Sequence, residues 1–295
     1  MKRPAISIIG PGKVGGALAE LATSAGYRVV AVAGRDRARS EAAAARIGPD
    51  TRALSPVAAA RAGDLVFLCV TDASIEDVVR ELAEAEALNH ESVLVHCSGA
   101  LTSEVLAVAQ RNRRVAVASF HPLQTFPSVE QAVASLPGSH CFLEGDPRAL
   151  EILEAFGTAI GTHCVRIETR AKVLYHAGAV IACNYLCALM DAALVASEAA
   201  GIERDTAWPA LQPLVQATLE NIAKLGPEAA LTGPIQRGDH KTVELHLRAL
   251  SESAPELITL YRALGSRTLD LANRSGGPGD ASVAALREAL DDLAR

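Results

Sequence analysis

The sequence predicts an α/β fold: a doubly wound parallel sheet in the N-terminal half, followed by an all-α C-terminal domain. Three observations carry this. The apolar run Ala5-Ile6-Ser7-Ile8-Ile9 ends in Gly10-Pro11-Gly12-Lys13-Val14-Gly15 and continues into the helical stretch Ala17–Ala22. Strands then alternate with helices to about residue 168, and each strand is a nearly unbroken hydrophobic run, as in a parallel sheet covered on both faces. From about Thr169 apolar residues recur at helical spacing, with few strand signals. The expected division is 1–168 and 169–295.

The glycine motif explains the first strand and helix. A buried strand, a G-x-G-x-x-G turn and a helix form the dinucleotide-binding arrangement of the Rossmann fold. Gly10 permits the tight turn, Gly12 admits a pyrophosphate to the backbone, and Gly15 lets the helix pack on its strand. Lys13 and Val14 open the helix, whose N-terminus faces the negative charge.

The second strand, Tyr27–Ala33, opens into Gly34-Arg35-Asp36-Arg37. Arg35 occupies the position where an NAD-binding chain carries an acid on the ribose hydroxyls. A guanidinium there meets a 2′-phosphate in a charge-assisted pair worth roughly 1.5–3 kcal/mol. NADP is therefore the expected cofactor; Asp36 keeps NAD open, and a solvated basic turn is the plain alternative.

An Ala-rich helix over Ala38–Ile47 follows, then the strand Leu65–Val70, a helix from about Ser74 to Ala85, and the strand Val93–Cys97. Val115–Ser119 runs into Phe120-His121-Pro122-Leu123. Cys141–Leu143 and His163–Ile167 are later strands flanking a helix over Ala149–Ile160. Helices are expected over Ala171–Ala200, Thr206–Leu225, Lys241–Leu250 and Pro255–Leu271. The linker Ser275–Asp280 precedes a last helix over Ala281–Ala294.

The net charge of −6 argues against a nucleic-acid partner. Six cysteines occur without a C-x-x-C, which fits reduced thiols and a cytoplasmic setting better than a disulfide scaffold. Cys69 and Cys97 read as small hydrophobes. Met1-Lys2-Arg3 leads into a strand, with no secretory leader read there. The stretch Ala177–Met190 carries Asn184, is short for a membrane span, and reads as a buried helix in a soluble protein.

In an open α/β sheet, ligands lie outside the carboxyl ends of the strands. Thr71, Asp72, Ser98, Gly99 and His121 are the strand-end candidates, with helix capping as the plain role for Asp72 and Ser98. Lys172, His176, Cys183 and Cys187 fall on one stripe of the long helix. A lysine and a histidine one turn apart on an apolar helix are costly to bury without a role. They form the expected proton-donor pair, with either residue open as the donor. The alternative puts Lys172 in solvent and His176 on a backbone group. Asn184, about a third of a turn off that stripe, is open to orienting a ligand or to bonding a neighbouring helix; the two cysteines read as core, and no metal is expected. The segment Leu231–Asp239 holds Thr232 and Arg237 between glycines. An arginine there suits a substrate carboxylate, while Asp239 suits an N-cap. His246, on the next helix, is expected to point inward or to a cleft edge.

Taken together, Cys69-Val70-Thr71-Asp72, His96-Cys97-Ser98-Gly99, Ser119-Phe120-His121-Pro122-Leu123, Lys172-x-x-x-His176 and Leu231-Thr232-Gly233-Pro234-Ile235-x-Arg237-Gly238-Asp239 resemble a known family. It is that of the bacterial Rossmann-like NADP oxidoreductases with a helical C-terminal domain of unassigned function. They sit in the superfamily of 3-hydroxyacid dehydrogenases, ketopantoate reductase and pyrroline-5-carboxylate reductase. The resemblance extends to about Ala272. It implies a cofactor half, an interlocked helical half that often dimerises, and a small oxo or imino substrate. The hydroxyacid dehydrogenases place asparagine one turn after the lysine, where this chain has His176.

The expected activity is hydride transfer between NADPH and a C=O or C=N carbon of a small carboxylate-bearing substrate. Lys172 or His176 would supply the proton, Arg237 would hold the carboxylate, and Ser98 and Thr232 would position polar groups. An oxidising dehydrogenase of a cyclic or hydroxy acid and a non-catalytic NADP sensor are the competing readings.

Overall fold

The computed structural model describes residues 3–110 and 114–291, so the last residues of the expected helix to Ala294 lie outside it. The chain divides into two compact units, 1–181 and 182–295, and the division falls inside its longest helix.

The first unit holds an eight-stranded sheet. Its elements are β1 (Ile6–Ile9), α1 (Lys13–Ser24), β2 (Val29–Ala33), α2 (Arg37–Ile47), β3 (Arg52–Ala53), α3 (Pro56–Ala62), β4 (Leu65–Leu68), α4 (Asp72–Glu84) and β5 (Val93–His96). A 3-10 helix over Ser103–Gln110 leads to β6 (Ala116–Pro122), α5 (Val129–Ser135), β7 (His140–Gly145), α6 (Pro147–Ala159) and β8 (His163–Arg166). The strand order is β3-β2-β1-β4-β5-β6-β7-β8.

The first six strands run parallel, in the doubly wound order that reverses beside β1. The sheet is parallel-dominated with one reversal: β7 pairs antiparallel with β6, and β8 follows β7 in parallel. A hydrophobic run carries no direction. What reverses the chain is the link after Pro122, whose short helix α5 packs with α1 rather than forming a crossover to a parallel strand.

Alternation along the strands builds two cores. Ile6, Ile8, Leu65, Phe67, Val93, Val95, Ala118 and Phe120 enter one, with α1 and α6. There Phe67, Phe120 and Phe156 meet edge-on or tilted, with centroids 5.2–6.0 Å apart. Ile9, Val66, Leu68, Leu94 and Val117 enter the other, under α3, α4 and the 3-10 helix. Ser119 and His121 share the face of Val117, so this second face turns polar at its carboxyl end.

After a 3-10 turn over Thr169–Ala171 come α7 (Lys172–Ala199), α8 (Arg204–Ala230), α9 (His240–Ser253), α10 (Ile258–Arg274) and α11 (Asp280–Asp291). Gly226, at φ 79°, breaks α8 just past Leu225, where the apolar periodicity ends. Ile235, Val243, Leu269, Leu286 and Leu290 form the second unit's core.

The long helix is not the buried helix the sequence suggests. Lys172 is its one buried residue among those described, while Val173, Leu174, Ile181 and Tyr185 are more than half exposed. By length and composition alone, Thr169–Ala199 suffices to cross a membrane (mean hydropathy 1.9). Apolar periodicity shows that a helix needs cover, not that its own chain supplies it. Cys183 and Cys187 are likewise exposed and free rather than core.

Candidate functional site

The glycine turn is built to exclude side chains. Gly10 has φ +97°, and a Cβ there would lie 2.6 Å from the backbone carbonyl carbon of Cys69. A Cβ on Gly15 would lie 2.3 Å from the Gly10 carbonyl oxygen, whereas one on Gly12 would meet nothing within 4 Å. The crowded glycines thus fix the turn, and the uncrowded one leaves its outer side open. Gly12 is the N-cap of α1 and offers no side-chain cap, and the first turn holds no acid. Its N–H groups remain available to an anion, with Lys13 exposed and Val14 packed against the core.

The basic turn after β2 sorts itself. Arg37 pairs with Glu41 at 2.8 Å and Arg39 with Asp36 at 3.4 Å. Asp36 caps α2 by accepting from the Arg39 N–H at 3.1 Å, which accounts for the acid that kept NAD open. Arg35 is exposed and has no ion pair among the described residues. These residues therefore suit a dinucleotide bearing an extra phosphate.

At the carboxyl ends of β4 and β5, capping and a site coincide. Thr71 is the N-cap of α4, its hydroxyl 3.0 Å from that of Ser74. Ser98 Oγ donates to Asp72 Oδ2 at 2.7 Å and accepts from the Ala100 and Leu101 N–H groups at 3.2 and 3.0 Å. The Ser98 N–H donates in turn to His96 Nδ1 at 3.1 Å, which leaves His96 Nε2–H to donate to the Thr102 carbonyl at 3.2 Å. His96 is fully buried; burial and the nearby Lys172 charge lower its pKa to about 4. A neutral ring of fixed tautomer therefore holds the turn that carries Gly99.

One row further along, His96, Ser119 and Glu144 stand in register across β5, β6 and β7. Equal register puts them on one face, and none is more than 1% exposed. Lys172, also 1% exposed, closes over this row from the first turn of α7. Its ammonium donates to Ser119 Oγ and lies 3.5 Å from Glu144 Oε1. Burial lowers the Lys172 pKa, and Glu144 opposes the shift. The alternative of a solvent-exposed lysine is thus excluded.

The next row pairs His121 with Phe142, and Tyr175 covers both. His121 Nδ1 is 3.0 Å from the Tyr175 hydroxyl, and the His121 and His176 rings meet edge-on at 5.6 Å. Burial, then Lys172 and the other two histidines, lower the His121 pKa to about 4, and burial pushes Tyr175 up. Both rings crowd Gly99: a Cβ there would lie 2.4 Å from His176 Nδ1 and 2.8 Å from His121 Nε2. His176 Nδ1 is buried without a hydrogen-bond partner, so the backbone bond offered as its alternative role is absent for that nitrogen. His176 Nδ1 is thus a buried polar atom beside Gly99 with a hydrogen bond left to make.

Sequence reasoning assigned no role to Glu144, Ser119, His96 or Tyr175. One signal was available, a glutamate inside the apolar strand Cys141–Glu144, since an acid buried there needs partners. Asn184, Thr232 and Arg237 are exposed residues of the second unit. Asp239 caps α9, accepting from the Thr242 N–H at 3.1 Å. Of the two placements expected for His246, inward or at a cleft edge, the inward one does not hold: the residue is exposed, with Nδ1 2.7 Å from the Tyr261 hydroxyl. Among the described residues no group of three or more His, Cys, Asp or Glu is placed to hold a metal.

Residues 1–122 match a Rossmann-like domain, and residues 139–268 match a domain of unknown function, DUF2520. The fold is similar to that of an inferred NADP oxidoreductase from Bacteroides fragilis, at 21% identity, 91% of this chain, 98% of that one and TM-score 0.71. It is also similar to protein TM1727 from Thermotoga maritima, at 25% identity, 92% of this chain, 100% of that one and TM-score 0.73. An imine reductase from Myxococcus stipitatus in complex with NADP+ aligns at 16% identity over 97% of this chain and all (100%) of that one, with TM-score 0.66. No curated protein matches the chain.

Proposed function

We propose that this chain, which joins a Rossmann-like domain to a DUF2520 domain, is an NADP-dependent oxidoreductase. It would reduce a C=N or C=O carbon of a small, polar substrate. The observation that carries this is the pairing of a side-chain-excluding turn on an uncapped helix with an exposed Arg35 that has no ion pair among the described residues. The imine reductase of similar fold is named as a complex with NADP+, which supports the choice of cofactor.

Bound NADPH would supply the hydride. Gly10, Gly12, Lys13, Val14 and Gly15 would hold the pyrophosphate, Arg35 the 2′-phosphate, and Thr71 and Asp72 would border the nucleotide at the strand ends. Gly99 lets a substrate approach the backbone, and Ser98, fixed by Asp72, orients it. His176 would give the proton, with His121 and Tyr175 beside it. Lys172, only 1% exposed, would act from behind them as a fixed charge. Arg237, Thr232 and Asn184 remain proposed contacts for a substrate carboxylate and its polar groups.

We also propose that two copies pair through the helical half. The apolar surface of α7, together with Leu214, Leu219, Ile222 and Leu225 of α8, supports this. The test of activity is a panel of cyclic imines and keto acids, followed by loss of NADPH absorbance. Turnover of an imine or keto acid supports the proposal. Tight NADPH binding with no turnover across the panel would favour a sensor.

A further inference from the structure

The buried row contains an acid that the proposed reaction does not use. Glu144 accepts from the Ser103 N–H at 2.8 Å, the Ser103 hydroxyl at 2.7 Å and the Thr169 hydroxyl at 3.1 Å. These donors carry no charge, so the Lys172 ammonium is the cation that balances it. Ser103 belongs to the 3-10 helix after β5, and Thr169 to the turn that opens into α7. Two segments distant in the chain, one at Ser103 and one at Thr169–Lys172, therefore converge on one carboxylate of β7. A buried acid with this many partners is held rigidly, and it holds its partners equally.

We propose that Glu144 is a positioning residue: it anchors the Lys172 ammonium against Ser119 as a fixed charge behind His121 and His176. Lys172 and His176 are one helical turn apart, so anchoring the first also sets the ring of the second over Gly99. Around the ammonium, Glu144, Cys97 and Asp72 favour its charge and burial opposes it. His96 and His121 face it as neutral rings. The anchoring depends on the functional reading only for the reaction that it serves.

The test needs no substrate at first. Lysine labelled at Cε is titrated by NMR in the wild type, Glu144→Gln and Glu144→Asp, with NADPH affinity measured alongside. The Lys172 midpoint is expected to fall by about one pH unit or more in Glu144→Gln, because burial then loses the strongest of the groups that oppose it. Glu144→Asp keeps the charge and is expected to recover most of that shift, and NADPH affinity is expected to stay within about twofold of wild type across the series. An unchanged Lys172 midpoint in Glu144→Gln overturns the proposal.

Should Glu144→Gln fail to fold, the double variant with Lys172→Met removes both charges together, which buried sites tolerate better than a lone charge. Its turnover is expected to equal that of Lys172→Met alone. A further loss would show that Glu144 acts independently of Lys172, and would equally overturn the proposal. A chain with no turnover on any substrate would defeat the functional reading, yet the titration would still decide the role of Glu144.

Discussion

Ser119 and Glu144 stand opposite each other across the antiparallel pairing of β6 with β7, and the Lys172 ammonium joins them. This relationship ties the interior strands β6 and β7 to the first turn of α7. It also places a buried charge beneath the rings that crowd Gly99.

That crowding makes Gly99→Ala informative. The added methyl would overlap His176 Nδ1 and His121 Nε2, so the rings must move apart. Turnover is expected to fall at least about tenfold, since misplacing a reacting group by 1 Å costs that much or more. NADPH affinity is expected to hold. Steady-state kinetics and a nucleotide titration on the same preparation check it; normal turnover would remove Gly99 and its two histidines from the site.

The Gly10→Ala variant should behave in the opposite way. Its φ of +97° and the approach to Cys69 strain any side chain, so the turn must distort. NADPH binding is expected to fall at least about tenfold, the order of one lost charge-assisted bond. Calorimetric titration measures this, and unchanged affinity would place the nucleotide elsewhere.

Acid stability follows from His96. Its folded pKa of about 4 lies below the ordinary 6.5, so the unfolded chain takes up the proton first. Stability is full above pH 6.5 and is lost as pH falls toward 4, by about 3 kcal/mol from this group. Urea unfolding across that range, compared between wild type and His96→Gln, is expected to show a shallower loss in the variant. Parallel pH curves would contradict the assignment.

The apolar face of α7 gives a test of assembly. Leu174 is 78% and Ile181 62% exposed, and a glutamate at either should be tolerated by the single chain. Light scattering is expected to report a dimer for the wild type and a monomer for Leu174→Glu with Ile181→Glu. A monomeric wild type would end the pairing proposal.

Much of this was legible in the residues. Gly10, Gly12 and Gly15 announced the turn because each has a separate steric duty, and Lys172 with His176 stood out against an apolar helix. The direction of β7 was not legible, since Cys141–Leu143 reads alike either way. The row His96, Ser119 and Glu144 was hidden for a related reason. Its members are distant in the chain and meet only through strand order and register. The exposure of Cys183 and Cys187 was missed because apolar spacing does not say which surface covers it.

The most direct measurement is a fluorescence titration of the wild type and Arg35→Ala with NADPH and with NADH. Wild type is expected to favour NADPH by about tenfold or more, the worth of one well-formed phosphate–guanidinium pair. Arg35→Ala is expected to bring the two affinities together by weakening NADPH alone. Equal affinities in the wild type, or binding of neither nucleotide, would contradict the assignment of an NADP-dependent oxidoreductase.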